Sequence, residues 1–284
     1  MKGIGISMNR KVHLRKIFVH MFMTMLAIPI IFMVAWYILS SSYNYSSGEF
    51  SLKNFSFLVK DISFQGMHLP MIWPIVLNTL IYATIIVVVE VSIAVPSAYA
   101  FSRLEFKGRK TALKFLFLMR AFPGVTLIIA TFLIILKLGI INTYLGVVLV
   151  AVSGSLPGQI YIMKGFFDEV PWDLEWAAMV DGTTRWRAFR KVLLPTVSSG
   201  IGAIAVFAFL GAYGEWFLFK LFIFDDTALT MGGYLAKLVT KENSILSYGL
   251  ITAIGLFYTL PIIIFYIFSQ KIFMRVNIGG TKHV

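Results

Sequence analysis

Apolar and polar positions along the chain alternate in long blocks, not at the periods of a soluble helix or strand. Six apolar runs lie near residues 17–39, 75–101, 112–136, 142–163, 196–219 and 247–270. A helix needs about 20 apolar residues to cross a bilayer, so each run predicts one spanning helix. The fold class read from this pattern is all-α: a polytopic membrane helix bundle with six transmembrane helices. The first run follows the basic stretch RKVHLRK (10–16) and holds about 23 residues. The apolar part of a secretory signal has roughly 7–15, so the run predicts an uncleaved first span. The third run carries Arg120, Pro123 and Gly124 and predicts a kink. SGSLPG (153–158) in the fourth predicts another break, tolerable where neighbouring groups satisfy the freed carbonyl.

Between the runs, residues 40–74 begin SSSYNYSSGEF, contain two prolines and read as an exposed loop. Residues 220–246 mix apolar and polar positions around a Gly-Gly pair. They predict either an ordered loop that dips toward the bundle or touches an outside partner, or a plain surface loop.

Composition supports the membrane reading. Of 284 residues 58% are hydrophobic and 13% charged, with mean hydropathy +0.84, against about 25% charged in soluble domains. The net charge of +12 would suggest nucleic acid in a soluble protein. Here its placement explains it: eighteen Lys and Arg fall in the two tails and the loops after the second and fourth runs, six fall in the opposite loops, and Arg120 lies within a run. Basic residues concentrate on the cytoplasmic side, so both termini are expected there, with membrane lipid and not nucleic acid as the surroundings. With no cysteine, disulfides, thiolate-bound zinc and thiol redox chemistry are excluded. The four histidines (13, 20, 68, 283) show no ligand spacing, and no metal site is expected. No G-x-x-x-x-G-K-[ST], G-x-S-x-G or H-E-x-x-H occurs, so the chain has neither its own phosphate-cradling loop nor an enzyme's motif.

The most informative loop is EWAAMVDGTTRWRAFRKVLLP (175–195). Pro171 suits a helix's first turn, Gly182 a C-terminal stop, and Thr183 or Thr184 the cap of a second helix that ends before Pro195. Leu174, Ala177 and Ala178 share one face of the first helix, and Trp172, Trp176, Met179 and Val180 cover much of the rest. A water-facing helix apolar nearly all round marks a docking surface. The alternative is an interfacial helix without a partner. In the second helix Trp186, Phe189 and Val192 share a face that suits the bundle or lipid headgroups.

The series Glu175, Trp176, Ala177, Ala178, Met179, Val180, Asp181, Gly182, followed by Leu194-Pro195, resembles the "EAA" loop of permease subunits of ABC importers. AYAFSRLEFKGRK (98–110), MRAFPG (119–124) and GGTKHV (279–284) resemble the carbohydrate, maltose/trehalose-type branch and its smaller, MalG-like subunit. The resemblance covers roughly residue 70 onward. It implies a tail at 1–16, a transmembrane permease domain at 17–274 with a coupling loop at 167–195, and a tail at 275–284. It also implies a multi-pass subunit of the cell membrane that imports a di- or oligosaccharide by alternating access. The implied partners are a second related permease in a heterodimer, two copies of a cytoplasmic ABC ATPase that bind the ATP and Mg, and an extracytoplasmic sugar-binding protein. No cofactor is implied in this chain.

By the same resemblance the residues 175–179, 181 and 182 of the coupling helix contact the ATPase, as do Gly279, Gly280, Thr281 and Lys282 of the tail. The usual loop places its Glu directly before the two alanines. Here Trp176 holds that slot and Glu175 precedes it; one helical step turns a side chain by about 100°, so Glu175 does not inherit the family contact.

Apart from Lys114 at the edge of the third run, three charges fall in the apolar runs: Glu90, Arg120 and Glu215. A mid-bilayer charge costs roughly 2.5–3.5 kcal/mol on insertion scales, so such groups pair, anchor at an interface or line a path. Glu90 or Glu215 with Arg120 are candidate pairs. All three, with Tyr213 and Trp216 as ring-stacking groups, are candidates for the translocation path. Interfacial aromatic belts are the alternative for the last two. A rival function is a stand-alone ion-coupled transporter using Glu90 and Arg120, and a second is an ABC permease for a solute other than sugar.

Overall fold

In the computed structural model, residues 4–45, 48–64, 67–122, 124–224, 230–239 and 248–274 are described. Helix α2 (Ile72–Arg103) is the mast of the bundle. Its 32 residues extend roughly 48 Å at helical rise and contribute to three stacked apolar clusters. Ile72 and Ile75 join the first, with Phe57, Met231 and Tyr234. Tyr82, Ala83 and Ile86 join the second. Ala94, Ala98 and Tyr99 join the third, with Met163, Phe167 and Leu193. In lipid there is no hydrophobic drive between helices, and close approach through small residues takes its place. Buried Ala83, Ala94, Ala98, Ala203, Ala208 and Ala212 serve that purpose.

Helices α5 (Tyr144–Glu169) and α9 (Ser198–Tyr213) pack along α2. Helix α1 (Ile4–Ser41) lies against α12 (Tyr248–Met274) and leaves most of its apolar surface outward. Among the described residues four helices are individually long and apolar enough to cross a membrane, and a fifth crossing results if the bent pair Arg185–Thr196 and Ser198–Tyr213 is one span.

The third predicted span is two short helices, α3 (Arg109–Met119) and α4 (Ile128–Lys137), separated by a turn at Arg120–Ala121 and a 3-10 turn at Gly124–Leu127. The expected kink is therefore a full break; Pro123 lies outside the described residues. The break predicted at SGSLPG is absent, because α5 runs straight through it with Pro157 buried. Two other expectations need correction. The fifth run does not form one helix: α9 begins only after a 72° bend at Val197 and stops at Gly214 before α10 (Phe217–Phe222). Residues 40–74 are ordered where described, with two short hairpins and a 3-10 helix (Leu52–Leu58) whose Phe57 is fully buried. The loop 220–246 contains α11 (Met231–Val239), which does dip onto the bundle: Met231 N donates to Thr79 Oγ1 at 2.9 Å and Tyr234 OH to the Pro70 carbonyl at 3.3 Å.

Candidate functional site

The loop after α5 is built as a short helix locked onto the bundle. Helix α6 (Trp172–Val180) has Pro171 as its N-cap, so it starts one residue later than expected. It ends in a Schellman arrangement, with Gly182 N donating to Met179 O at 3.0 Å and Thr183 N to Ala178 O at 3.2 Å. Gly182 has φ +82°, the left-handed region that a side chain disfavours. Thr184 caps the next helix, α7 (Arg185–Ala188), accepting from Arg187 N. That helix does not end before Pro195. It passes through a π turn (Phe189–Leu193) into α8 (Leu194–Thr196), the wider turn placing Phe189 and Leu193 in the same buried cluster.

Glu175 is the anchor of α6. It is 0% exposed and accepts a hydrogen bond from Tyr99 OH at 2.7 Å. Arg185 Nε approaches it to 3.5 Å and Arg103 Nε to 3.9 Å. The Arg103 guanidinium also donates to the carbonyls of Phe167 and Val170, and it covers the Trp172 ring at 4.4 Å. Residues from α2 and α7 thus converge on the one carboxylate of α6, and Arg103 ties that cluster to the end of α5. Glu175 stands in the expected coupling set, though not at the family contact. Its side chain is turned into its own bundle, so it positions the helix and does not form part of the outer face. That face consists of Trp172, Asp173, Leu174, Trp176 (52% exposed), Ala177 and Val180 (86% exposed), with Asp181 at the end; Ala178 and Met179 are half-buried. Trp172 and Trp176 lie 5.8 Å apart. Tyr99, Arg103 and Arg185 were not singled out from the sequence. The available signal was Arg103 closing an otherwise apolar run. Gly279, Gly280, Thr281 and Lys282 lie outside the described residues.

The second feature is a cavity of about 600 Å³ between α2, α5 and α9, roofed by the broken α3–α4 segment. Glu90, Arg120 and Glu215 all line it, but Glu90 and Arg120 form no ion pair among the described residues. Glu90 instead accepts from Ser155 Oγ and from Gln159 Nε2, the latter at 3.0 Å. The Arg120 guanidinium lies over Gly158 of α5, the carbon only 3.1 Å from where a Cβ would stand. Glu215 accepts from Leu218 N at 2.9 Å, capping α10. Tyr213 and Trp216 do not line the cavity. Tyr213 is buried against Tyr258 of α12, their rings 5.1 Å apart and each hydroxyl donating to the other's carbonyl. Trp216 lies beneath Lys220. Ser155 and Gln159, one turn apart on α5, were missed because SGSLPGQ reads as a helix break. Irregular backbone at membrane depth is tolerated where it lines a cavity, which is where the α3–α4 break lies.

The sequence model of the binding-protein-dependent transport system inner membrane component matches residues 90–277. The trehalose transport system permease protein SugB of Mycobacterium tuberculosis is 32% identical over 207 residues, which cover 72% of this chain and 76% of the relative. The maltodextrin transport system permease protein MdxG of Bacillus subtilis is 27% identical over 95% of this chain and 97% of its own length. Among solved structures, a chain of a bacterial ABC transporter involved in the import of the acidic polysaccharide alginate superimposes with TM-score 0.78 at 19% identity, covering 92% of this chain and 97% of that one.

Proposed function

The chain belongs to the family of binding-protein-dependent transport system inner membrane components, a multi-pass transport subunit of the cell membrane and not an enzyme, and from that premise we propose that it is one permease of an ATP-driven sugar importer. The relatives named for trehalose and maltodextrin support a neutral di- or oligosaccharide as the solute. On this reading a second permease completes the translocation path. Two cytoplasmic ATPase subunits bind ATP and Mg, and an extracytoplasmic binding protein delivers the sugar.

The observation that carries the coupling role is the outer face of α6. Trp172, Trp176 and Val180 stand exposed on a helix whose opposite side is pinned by Glu175. A mobile apolar segment would fold back onto the bundle. This one is held outward, as a knob for an ATPase cleft must be. When the ATPase dimer closes, a push on α6 passes through Glu175 to Tyr99 and Arg103 of α2, and through the Phe167 and Val170 carbonyls to α5. A stand-alone ion-coupled transporter gives this face nothing to do. The test is reconstitution with the partner subunits. Uptake of sugar is expected to require the ATPase and ATP; uptake from vesicles holding this chain without any ATPase would sink the reading.

A further inference from the structure

The cavity beside α2 carries hydrogen-bonding groups that the fold itself leaves unused. Tyr82 and Gln159 both line it, and both are more than nine-tenths buried, at 0% and 6% exposed. Yet among the described residues Tyr82 OH and Gln159 Oε1 have no hydrogen-bond partner. Buried polar groups are paired in the great majority of cases, and an exception calls for an explanation. Gln159 spends its amide N–H on Glu90, which is 2% exposed and also held by Ser155. The amide oxygen and the phenol stand at the wall of the void but are sealed from it in this state, as is the carboxylate, so a solute hydroxyl reaches them only as these side chains part.

We propose that this constellation is a subsite for the hydroxyl groups of a neutral polyhydroxylated solute, made by this subunit itself; the inference rests on the importer reading above. A hydroxyl can donate to Gln159 Oε1 or Glu90 and accept from Tyr82, which no purely anionic or apolar group does. The charge count points the same way. Two carboxylates, Glu90 and Glu215, share the lining with one guanidinium, Arg120, so a uronate would enter against its own sign. The volume of about 600 Å³ lies within the range of small-molecule sites, roughly 300–1,000 Å³. Gly154 and Gly211 border the space, and a Cβ at either would meet nothing within 4 Å.

Two variants test this in the assembled transporter, reconstituted with its second permease, ATPase and binding protein. The probes are radiolabelled maltotriose, trehalose and an acidic uronate trisaccharide. Tyr82→Phe removes only a hydroxyl that the fold does not use, so the amount and thermal stability of the complex are expected to equal or exceed the parent's. Uptake of the neutral probe at subsaturating concentration is expected to fall about tenfold, with binding-protein-stimulated ATP hydrolysis retained. Gly154→Leu fills the void from the other wall and is expected to block uptake in a complex that still assembles. Neutral-sugar uptake unchanged within about twofold in both variants overturns the subsite and leaves the importer reading standing. So does transport of the uronate alone. Loss of assembly in Gly154→Leu, with Tyr82→Phe unaffected in uptake, assigns the void to packing against the second permease and overturns the subsite as well. Failure of the parent complex to bind an ATPase or carry any sugar would instead remove the importer reading.

Discussion

Around Glu175 two arginines look alike in distance and differ in consequence. Arg103 is almost fully buried with it, while Arg185 is about half exposed. Breaking a buried pair from one side leaves a charge without compensation and costs on the order of 3–5 kcal/mol, whereas an exposed partner contributes about 1 kcal/mol or less. Glu175→Gln is therefore expected to lower the thermal midpoint of the detergent-solubilised protein markedly, and Arg185→Gln hardly at all. Equal effects would mean that Arg103 is compensated by its carbonyl acceptors alone. Gly182 offers a cleaner perturbation. Among the described residues no atom lies within 4 Å of where a Cβ would stand, so a substitution pays only for the left-handed backbone, roughly 1–2 kcal/mol. Gly182→Val should let the chain insert and assemble but uncouple ATP hydrolysis from uptake, while Gly182→Asn, which tolerates that backbone better, should be milder. Coupling left intact in the valine variant would count against a rigid stop to α6.

Helix α6 has only nine residues, too few to be stable alone, so its geometry is set by what it is bolted to. Buried Trp side chains carry much of an interface's energy, often 2 kcal/mol or more. Replacing Trp176 with Ala should weaken ATPase binding by about tenfold or more without lowering the stability of the chain, because the ring is exposed before docking. Titrating purified ATPase against the permease pair would measure this, and an unchanged affinity would place the partner elsewhere. The face was legible from the letters, since Trp, Ala and Val in a basic loop have few other uses. The anchor was not. Glu175 was expected to meet a partner subunit, and only the fold brings Tyr99 and Arg103 to it from about 75 residues away. Likewise SGSLPG reads as a break because Gly and Pro weaken isolated helices, yet α5, packed on α2, continues through it as one helix. The polar residues of that stretch were the informative part: Ser155 and Gln159 share a face and meet Glu90.

At the scale of the molecule, the ends of the helices show the direction of the chain. The C-terminal ends of α2 and α5 meet at Arg103, Phe167 and Val170, so the two run parallel and the segment between them must return across the bundle. It does so as α3 and α4, ending where Asn142 N donates to the Phe222 carbonyl, beside the cluster that holds Tyr82 and Ala83. Helix α9 starts against Phe166 near the end of α5 and reaches the same cluster through Ala208 and Ala212. Its 16 residues span only about 24 Å, short of the ~30 Å hydrocarbon core. A length criterion therefore overlooks segments 3 and 5, although chain direction favours a crossing at each. Helix α12 begins beside Tyr43 and Asn54, where α1 ends. These directions, with the three-to-one bias of Lys and Arg, predict six crossings with both ends cytoplasmic. The chain has no cysteine, so single-cysteine labelling needs no prior removal of native thiols. In intact cells a membrane-impermeant maleimide should react with Leu52→Cys and not with Val180→Cys, both positions being well exposed. In inverted vesicles the order should reverse. Labelling of both from the same side would require an even number of crossings between residues 52 and 180, which would overturn the reading of the α3–α4 segment as a span.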